Sequence, residues 1–288
     1  MRTHDESSPL VRPRGRAPLN AAGFGHGLFH SLHGRADSLL PLNPKVDLTS
    51  GLIFDFDPSV SASLTPVGGT LSNGVAISGI VDQSPTAMSL TQATSAKRPT
   101  YASAAGPHSI PALQYVRASA QSLGATSSLW TGNPAFTIVG VVSLSDLAQS
   151  TFFSIGTNAS KAGLSTILCR NSGTGKCDVT TNGGFSEALN TDDPHVIGTP
   201  LVMMATLNAA SDIPTALIYK NDSLLPVVLQ IAAVMNIVSG TTKVGESVIT
   251  LGTTFAMAGF VFRVLVWNRV LTLTERTGLW KYLNARYL

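Results

Sequence analysis

The sequence predicts an all-β sandwich that is preceded by an extended N-terminal arm and closed by one short C-terminal helix. Two observations lead to this fold class. Short runs rich in valine, isoleucine and phenylalanine recur along the chain, separated by glycine, serine, asparagine and proline. In the body of the chain, helical spacing of apolar residues appears only after Thr272. Strands at this spacing, with no helices between them, indicate a sandwich or a barrel.

The first 45 residues are expected to form the arm, and residues 46–288 the folded body. The prolines that exclude a long helix across the arm are Pro9, Pro13, Pro18, Pro41 and Pro44. The arm holds six basic and three acidic side chains and so has a net charge of +3. This is the net charge of the whole chain, so the body is neutral. A basic arm on a neutral body indicates a separate anchoring role.

The arm is predicted to bind a partner protein through two kinds of side chain. Alternating arginines suit charge-assisted contacts with an acidic surface, and a small apolar group further on would anchor the arm. The predicted contact residues are Arg12, Arg14, Arg16, Leu28, Phe29 and Leu32. Because aromatic residues are sparse among the basic ones, nucleic acid is not the expected partner.

No metal and no cofactor are expected. His26, His30 and His33 have a spacing that could place them on one helical face, but no fourth ligand is evident, so polar contacts are the preferred interpretation. Asp192-Asp193 precedes a proline and is interpreted as part of an ordinary loop rather than as a Ca²⁺ site.

The body divides into short predicted strands. The clearest of them are 52–56, 75–80, 136–144, 151–155, 164–169, 201–207, 216–220, 248–251 and 260–267. Lys220 to Ser223 reads as a tight turn, because asparagine and aspartate favour turn conformations.

The C-terminal 30 residues combine a strand and a helix. Residues 260–267 alternate and are rich in valine and phenylalanine, which predicts a buried central strand. Thr272 with Glu275 forms the capping-box pattern of a helix start. Leu279 and Leu283 recur at helical spacing, so we expect the helix to pack through them on the edge of the sandwich.

Three groups of residues stand in a particular order along the body. The first is the opening strand at 52–57. The second is L-T-Q-A-T at 90–94, K-R-P-T-Y at 97–101 and I-P-A-L-Q-Y at 110–115, and the third is W-N-R at 267–269 with the helix end at 282–287. Together they resemble concanavalin A-like (laminin-G-like) jelly-roll domains of the kind found in tailed-phage structural proteins. Two departures concern acids. Arg263 stands where the family often has an acidic residue, and Tyr115-Val116-Arg117 replaces the family's F-D-G phrase, so the acid of that phrase is missing.

The resemblance implies a concanavalin A-like jelly roll, a fold that hosts both lectins and glycoside hydrolases. Retaining hydrolases need two carboxyl groups about 5–5.5 Å apart. The four glutamates have no suitably spaced acidic neighbour, and Asp55 with Asp57 is the one strand pair at i, i+2. We interpret that pair as a strand end that faces water, so no catalytic residues and no enzymatic activity are expected.

Cys169 and Cys177 lie symmetrically about Gly173, in a predicted hairpin. They would face each other across two strands, where a disulfide is geometrically possible. In a reducing cytoplasm, paired thiols are the expected state.

Trp130 and Asn133 are the predicted glycan contacts. Trp130 precedes Thr131 and Gly132, a pattern typical of a loop, so its indole could form an exposed platform. Trp267 and Trp280 belong to the closing element and are expected to be buried.

The N-terminus shows no signal-peptide pattern, since it carries Arg2, Asp5 and Glu6 and no apolar core. Synthesis in a host cytoplasm is therefore expected. The longest apolar stretch, 224–238, is interrupted by a proline and by polar residues, so no membrane span is expected.

These observations favour a non-enzymatic structural protein of a phage virion, on the capsid or tail surface. The arm would bind other virion proteins, the protein would form a homo-oligomer, and the lectin-like sandwich would face outward towards host-surface glycans. The alternatives are a free carbohydrate-binding protein of lectin type and a degenerate glycoside hydrolase.

Overall fold

The computed structural model describes residues 47–159, 162–168, 177–181, 187–190, 195–231, 235–248 and 255–288. Within these residues the chain forms two antiparallel β-sheets, of eight and ten strands, and one α-helix at the C-terminal end. The predicted fold class, an all-β sandwich closed by one helix, is confirmed.

Several predictions fall outside the described residues and stay predictions. They concern the arm with Arg12, Arg14, Arg16, Leu28, Phe29 and Leu32, the histidines His26, His30 and His33, the hairpin cysteine Cys169, and Asp192-Asp193. The predicted strand at 248–251 is described only at Val248, which lies in a bend.

The strands and the helix of the described residues have the following bounds. The strands are β1 (Leu52–Phe56), β2 (Leu64–Pro66), β3 (Ile77–Val81), β4 (Ser89–Thr91), β5 (Thr100–Ala105), β6 (Ile110–Tyr115), β7 (Leu123–Ala125), β8 (Phe136–Leu144), β9 (Ser150–Gly156), β10 (Gly163–Leu168), β11 (Asp178–Thr181), β12 (Glu187–Asn190), β13 (Pro200–Leu207), β14 (Leu217–Lys220), β15 (Ser223–Leu225), β16 (Val227–Ile231), β17 (Thr241–Val244) and β18 (Gly259–Trp267). The helix α1 spans Leu273–Tyr287. Single-turn 3-10 helices lie at Ser61–Ser63, Ser95–Lys97, Arg117–Ser119 and Ile213–Thr215.

The two sheets differ in their strand order. The eight-stranded sheet, sheet A, runs β15-β14-β13-β8-β18-β6-β5, with β1 paired to β18 beside this path. The ten-stranded sheet, sheet B, runs β16-β12-β11-β10-β9-β17-β7-β4-β3-β2. Neighbours in space are therefore often far apart in sequence, as expected for a jelly roll.

Strand β18 is the centre of sheet A, as the sequence predicts. One of its edges pairs with β8 over the whole strand length. Its other edge is shared: β6 pairs with residues 259–261, and β1 pairs with residues 264–267. A bulge lies between Val261 and Arg263, where the two partners meet.

Both faces of sheet A are buried at its central strands β8, β13 and β18. On β8, Ile138 and Val142 point into the core between the sheets, whereas Val139 and Val141 point to the outer face. That outer face packs against α1, through side chains that include Leu279 and Leu283. The helix therefore covers the face of the sandwich rather than its edge, which corrects the prediction of edge packing.

The start of α1 forms as the sequence predicts. The Thr272 hydroxyl accepts a hydrogen bond from the Glu275 backbone N–H at 3.3 Å, and the Glu275 carboxylate accepts one from the Thr272 N–H at 2.7 Å. Arg269 donates two bonds to the same carboxylate, at 2.8 and 2.7 Å, which lowers the pKa of Glu275 to about 2.

The closing segment also holds the start of the body. The Trp267 indole N–H donates to the Leu48 carbonyl at 2.8 Å, and Arg269 donates to the Ser50 carbonyl at 2.9 Å. Trp267 is buried as expected, but Trp280 is only half-buried, because it lies beside rather than on the helix face that contacts the sheet.

The predicted turn at Lys220 to Ser223 joins β14 to β15. Asn221 and Asp222 have φ values of 48° and 64°, the left-handed conformation that a two-residue hairpin needs at both central positions. Among the described residues, no helix combines the length and the apolar character that crossing a bilayer requires.

Ending the chain after Leu271 removes α1. We expect insoluble protein, because outer-face side chains of sheet A such as Val202 and Phe262 lose their cover. The soluble fraction after expression and the thermal melt are the measurements. Lys281→Ala, on the exposed side of α1, is the matched control and should leave both unchanged. A truncated chain that is soluble and melts cooperatively would show that the helix is dispensable.

Candidate functional site

The acid pair Asp55 and Asp57 does not face water. Both side chains are buried, at 1% and 0% exposure, which corrects the prediction of a solvated strand end. The pair lies at the end of β1, on the side of sheet A that faces α1. Arg263 forms ion pairs with both acids there. Because Arg263 is far from them in sequence, the local pattern around Asp55 and Asp57 could not predict this contact.

Arg263 binds Asp55 as a two-pronged fork. Its Nε donates to Asp55 Oδ1 at 2.9 Å, and its Nη2 donates to Oδ2 at 2.8 Å. Asp57 Oδ2 lies 3.5 Å from Nη1, and Nη1 also donates to the Tyr282 hydroxyl of α1 at 3.0 Å. The arginine that departs from the family's acidic residue is thus the partner of two acids on another strand.

Burial and the charge of Arg263 act in opposite directions on the pKa of Asp55, and burial has the larger effect. The pKa of Asp55 is therefore raised. Burial lowers the pKa of Arg263, but the charges of Asp55 and Asp57 outweigh this, so the pKa of Arg263 lies well above its ordinary value. A carboxylate held in such a fork is already bound on both oxygens, which makes it a poor nucleophile or proton donor.

Trp130 is not an exposed platform. Its side chain is buried and stacks on Phe136, with ring centroids 5.9 Å apart and planes 15° from parallel. The neighbouring Gly132 exchanges two backbone hydrogen bonds with Ile237, and Asn133 donates to the Ser211 carbonyl at 2.9 Å. Trp130 and Asn133 therefore brace a loop on the core, which corrects the expectation of an exposed platform, and their contact with a glycan stays a prediction.

A polar pocket of about 330 Å³ lies on the outer face of sheet B. It is centred on β4, β7 and β17, whose core-facing residues Leu90, Leu123 and Val244 alternate with the residues that line it. The lining residues are Thr91, Gln92, Thr94, Lys97, Ser122, Gly124, Ala125, Thr126, Thr241, Lys243 and Glu246. The volume falls in the range of small-molecule sites, roughly 300–1,000 Å³.

The pocket wall contains one buried carboxylate, Glu246. Lys243 Nζ lies 2.7 Å from its Oε2, and the Ser122 hydroxyl donates to the same oxygen at 3.2 Å. Glu246 is 4% exposed. These contacts fix the carboxylate at the edge of the pocket before any ligand arrives.

Gly124 lies in the middle of the pocket because it pairs with Thr91 on one side and with Lys243 on the other. A Cβ at this position would lie 3.3 Å from Lys243 Cγ. The missing side chain therefore leaves the space between the two flanking strands open.

A further wall of the pocket is the connection between β4 and β5, which several hydrogen bonds hold in place. Arg98 donates to the carbonyls of Gln92 and Ala93, at 2.8 and 2.7 Å. The Gln92 amide donates to the Ser122 carbonyl at 3.1 Å, and the Ser122 N–H donates to the Lys97 carbonyl at 3.0 Å. This wall is pre-organised, which lowers the entropic cost of binding a ligand.

A second pocket, of about 530 Å³, lies beside Arg117 at the end of β6. Here the guanidinium is occupied. Arg117 pairs with Asp146 at 2.8 Å and donates to the Ser150 hydroxyl at 2.9 Å and to the carbonyls of Ala148 and Gln149. Asp146 neutralises the charge of Arg117, so this pocket offers a ligand fewer free polar groups than the pocket on sheet B does.

No protein-family model matches the sequence, and no curated protein matches it. Solved structures do. A GH54 α-L-arabinofuranosidase soaked with 4-nitrophenyl α-L-arabinofuranoside matches with a TM-score of 0.56 and 13% identity, over 82% of this chain and 59% of that one. The chain thus spans about three fifths of that enzyme.

Two further structures match with different coverage. Domain 4 of AbnA, a GH43 extracellular arabinanase from Geobacillus stearothermophilus, in complex with arabinotriose, gives a TM-score of 0.50 and 13% identity, over 79% of this chain and 97% of that domain. A heptameric SAP-like pentraxin from Limulus polyphemus matches with a TM-score of 0.41 and 14% identity, over 55% of this chain and 73% of that chain. At these identities the likeness establishes the fold alone, a sandwich of the concanavalin A-like kind.

Replacing Arg263 by methionine leaves two buried carboxylates without their cation. We expect the free energy of unfolding to fall by about 3–5 kcal/mol. Arg263→Lys should lose less, because it keeps the charge but not the fork. Urea unfolding at neutral pH measures both. Asp222→Asn, which removes an exposed ion pair of 3.8 Å with Arg276, is the control and should cost below about 1 kcal/mol.

The loss in the free energy of unfolding that Arg263→Met causes should also depend on pH. Without the cation, burial leaves the folded-state pKa of Asp55 above the ordinary value of 3.8. A raised folded-state pKa gives stability that is present below the unfolded pKa and lost as pH rises. The difference from the native protein should therefore shrink as pH falls towards 3.8. A deficit that does not change with pH would contradict a role for the buried charges.

Proposed function

We propose that the protein is a non-enzymatic carbohydrate-binding protein that binds a glycan in the sheet B pocket and serves as a structural component of a phage virion. The observation that carries the binding part is the pre-organised polar pocket around Gly124. Domain 4 of AbnA, which shares the fold, is in complex with arabinotriose, and this supports carbohydrate as the ligand class for this chain.

The chemistry of the pocket suits a sugar. A sugar presents hydroxyl groups that both donate and accept hydrogen bonds, and the pocket offers both kinds of partner. Glu246 accepts, Lys243 donates, and the threonine hydroxyls do either. Such a few placed polar groups fix the orientation of a small ligand.

Two features support a binding role over a hydrolytic one. Glycoside hydrolysis uses a pair of carboxyl groups, whereas Glu246 is the one carboxylate among the described residues that line the pocket. The acid pair Asp55 and Asp57 is bound to Arg263 under α1. Neither the single carboxylate of Glu246 nor this bound pair offers both an acid and a nucleophile to a ligand.

The virion part of the proposal has its support in the sequence. The basic arm of residues 1–45 would bind other virion proteins through the predicted contacts, and the protein would act as a homo-oligomer whose sandwich faces outward. The alternative is a lectin-like protein that uses the same pocket without belonging to a particle. Mass spectrometry of purified particles separates the two, since a free lectin would be absent from them.

Filling the pocket should abolish glycan binding without unfolding the protein. In Gly124→Val the added side chain occupies the space beside Lys243, and we expect binding to a polysaccharide array to fall at least tenfold, with an unchanged melting temperature. Ser89→Val adds a similar side chain to the exposed face of β4 outside the pocket and is the matched control. The native protein should release no reducing ends from any polysaccharide it binds. Equal binding by native protein and Gly124→Val would exclude this pocket.

Deleting residues 1–40 tests the anchoring role of the arm. We expect the sandwich to keep its melting transition, because the described core starts at Leu48, while incorporation into particles is lost. Co-sedimentation of the deleted chain with the assembled particle is the measurement, and Arg12→Ala with Arg14→Ala and Arg16→Ala is the finer variant. Normal incorporation of the deleted chain would rule out anchoring by the arm.

A further inference from the structure

The balance of charge in the sheet B pocket is not neutral. Lys97 and Lys243 are its two cations, and Glu246 is the one anion among the described lining residues. Glu246 lies against Lys243 at 2.7 Å, so these two charges compensate each other. Lys97 makes no ion pair within the described part of the chain and is exposed to solvent. The pocket therefore has one positive charge in excess.

Arg98 follows Lys97 in the same wall, although it is not itself among the residues that line the pocket. Within the described ranges its donors go to the backbone carbonyls of Gln92 and Ala93 and not to a carboxylate. It therefore shapes the wall and keeps its full charge next to Lys97. Two adjacent cations without an acidic partner favour an anionic group in the pocket beside them.

The side chains that line the pocket indicate which kind of anion it would bind. No aromatic ring is among the described residues that line the pocket, so it has no stacking surface of the kind that holds the bases of single-stranded nucleic acid. Hydroxyl groups and one accepting carboxylate line the pocket together with Lys97 instead. This combination suits a polyhydroxylated ligand that carries a negative charge.

The second pocket, beside Arg117, has no such excess of positive charge. There Asp146 neutralises Arg117 at 2.8 Å, and carbonyl oxygens take further donors of the guanidinium. Of the two pockets, the one on sheet B has the uncompensated cation, and this cation is on a wall that is already fixed.

We infer that the sheet B pocket selects acidic glycans, with Lys97 as the residue that recognises a sugar carboxylate. This inference rests on the proposed glycan-binding function and adds the ligand class to it. Lys97 is exposed, so its contact with the carboxylate is screened by salt. Affinity for an acidic glycan should therefore fall as the ionic strength rises, whereas affinity for a neutral glycan should not.

The test uses matched pairs of polysaccharides. Polygalacturonate, alginate and hyaluronate are each compared with the same polymer after its carboxylates have been reduced to primary alcohols, and neutral arabinan and dextran are added. We expect the full-length protein to bind at least one acidic polymer and to lose about tenfold or more of that affinity on carboxyl reduction, the effect of about 1.4 kcal/mol.

The variant Lys97→Gln assigns the selectivity to its residue. It should weaken binding of the acidic polymer about tenfold, to the level of the reduced polymer, a loss in the range of one charge-assisted hydrogen bond. Binding of the reduced polymer should stay the same. Lys97→Arg keeps the charge and should retain the preference. Lys281→Gln removes the same charge from the exposed side of α1 and should change neither affinity.

The outcomes separate this inference from the proposed function. Equal binding of an acidic polymer and its reduced form, or binding of neutral polymers alone, would overturn acidic selectivity and leave glycan binding in place. An equal loss for both forms in Lys97→Gln would also overturn it. Binding of no glycan at all would overturn the proposed function itself, as would displacement of the bound glycan by a single-stranded oligonucleotide at lower concentration.

Discussion

The buried contact of Arg263 with Asp55 and Asp57 joins three parts of the chain that no local interaction would bring together. β18 has one edge shared between β6 and β1, and Arg263 stands at the point where one partner ends and the other begins. Its guanidinium binds the acids of β1 and, through Tyr282, the helix α1. Because buried charges are costly unless they are paired, shifting β1 or the helix would separate Arg263 from its partners, so the network favours the observed register of β1 and position of the helix.

The same constraint decides where a ligand can bind. The charge network, together with Leu279 and Leu283, covers the centre of the outer face of sheet A, so that part of the face is closed. Sheet B has no α-helix packed on it among the described residues, and around Gly124 its outer face is open and polar. The sandwich is therefore asymmetric: one sheet is used to complete the core, and the other presents the pocket. The acids that resemble a catalytic pair belong to the closed side.

The accuracy of the sequence predictions depends on how local their causes are. The bounds of β1 and β8, and the first residue of α1, agree with the predictions because alternation, length and the capping box lie within a few residues. Three-residue strands such as β4 and β7 were too short to show a period. The local sequence predicts an exposed Asp55, because its partner Arg263 is 208 residues away. Trp130 seemed to be a loop platform because the loop is held on the core by Phe136 and Ile237.

The pocket was missed for the same reason, since its residues come from three separate segments of the chain. Yet one signal was present. The phrases at 90–94 and 97–101, which carry part of the family resemblance, form the wall that contains Gln92, Lys97 and Arg98. Arg98 is bound to the backbone of that wall, so the phrase has a structural reason to persist whatever the ligand is. Lys97 has no such contact through its side chain within the described residues. Of the two neighbouring cations, one therefore maintains the shape of the pocket, and the other is left to distinguish an acidic ligand from a neutral one.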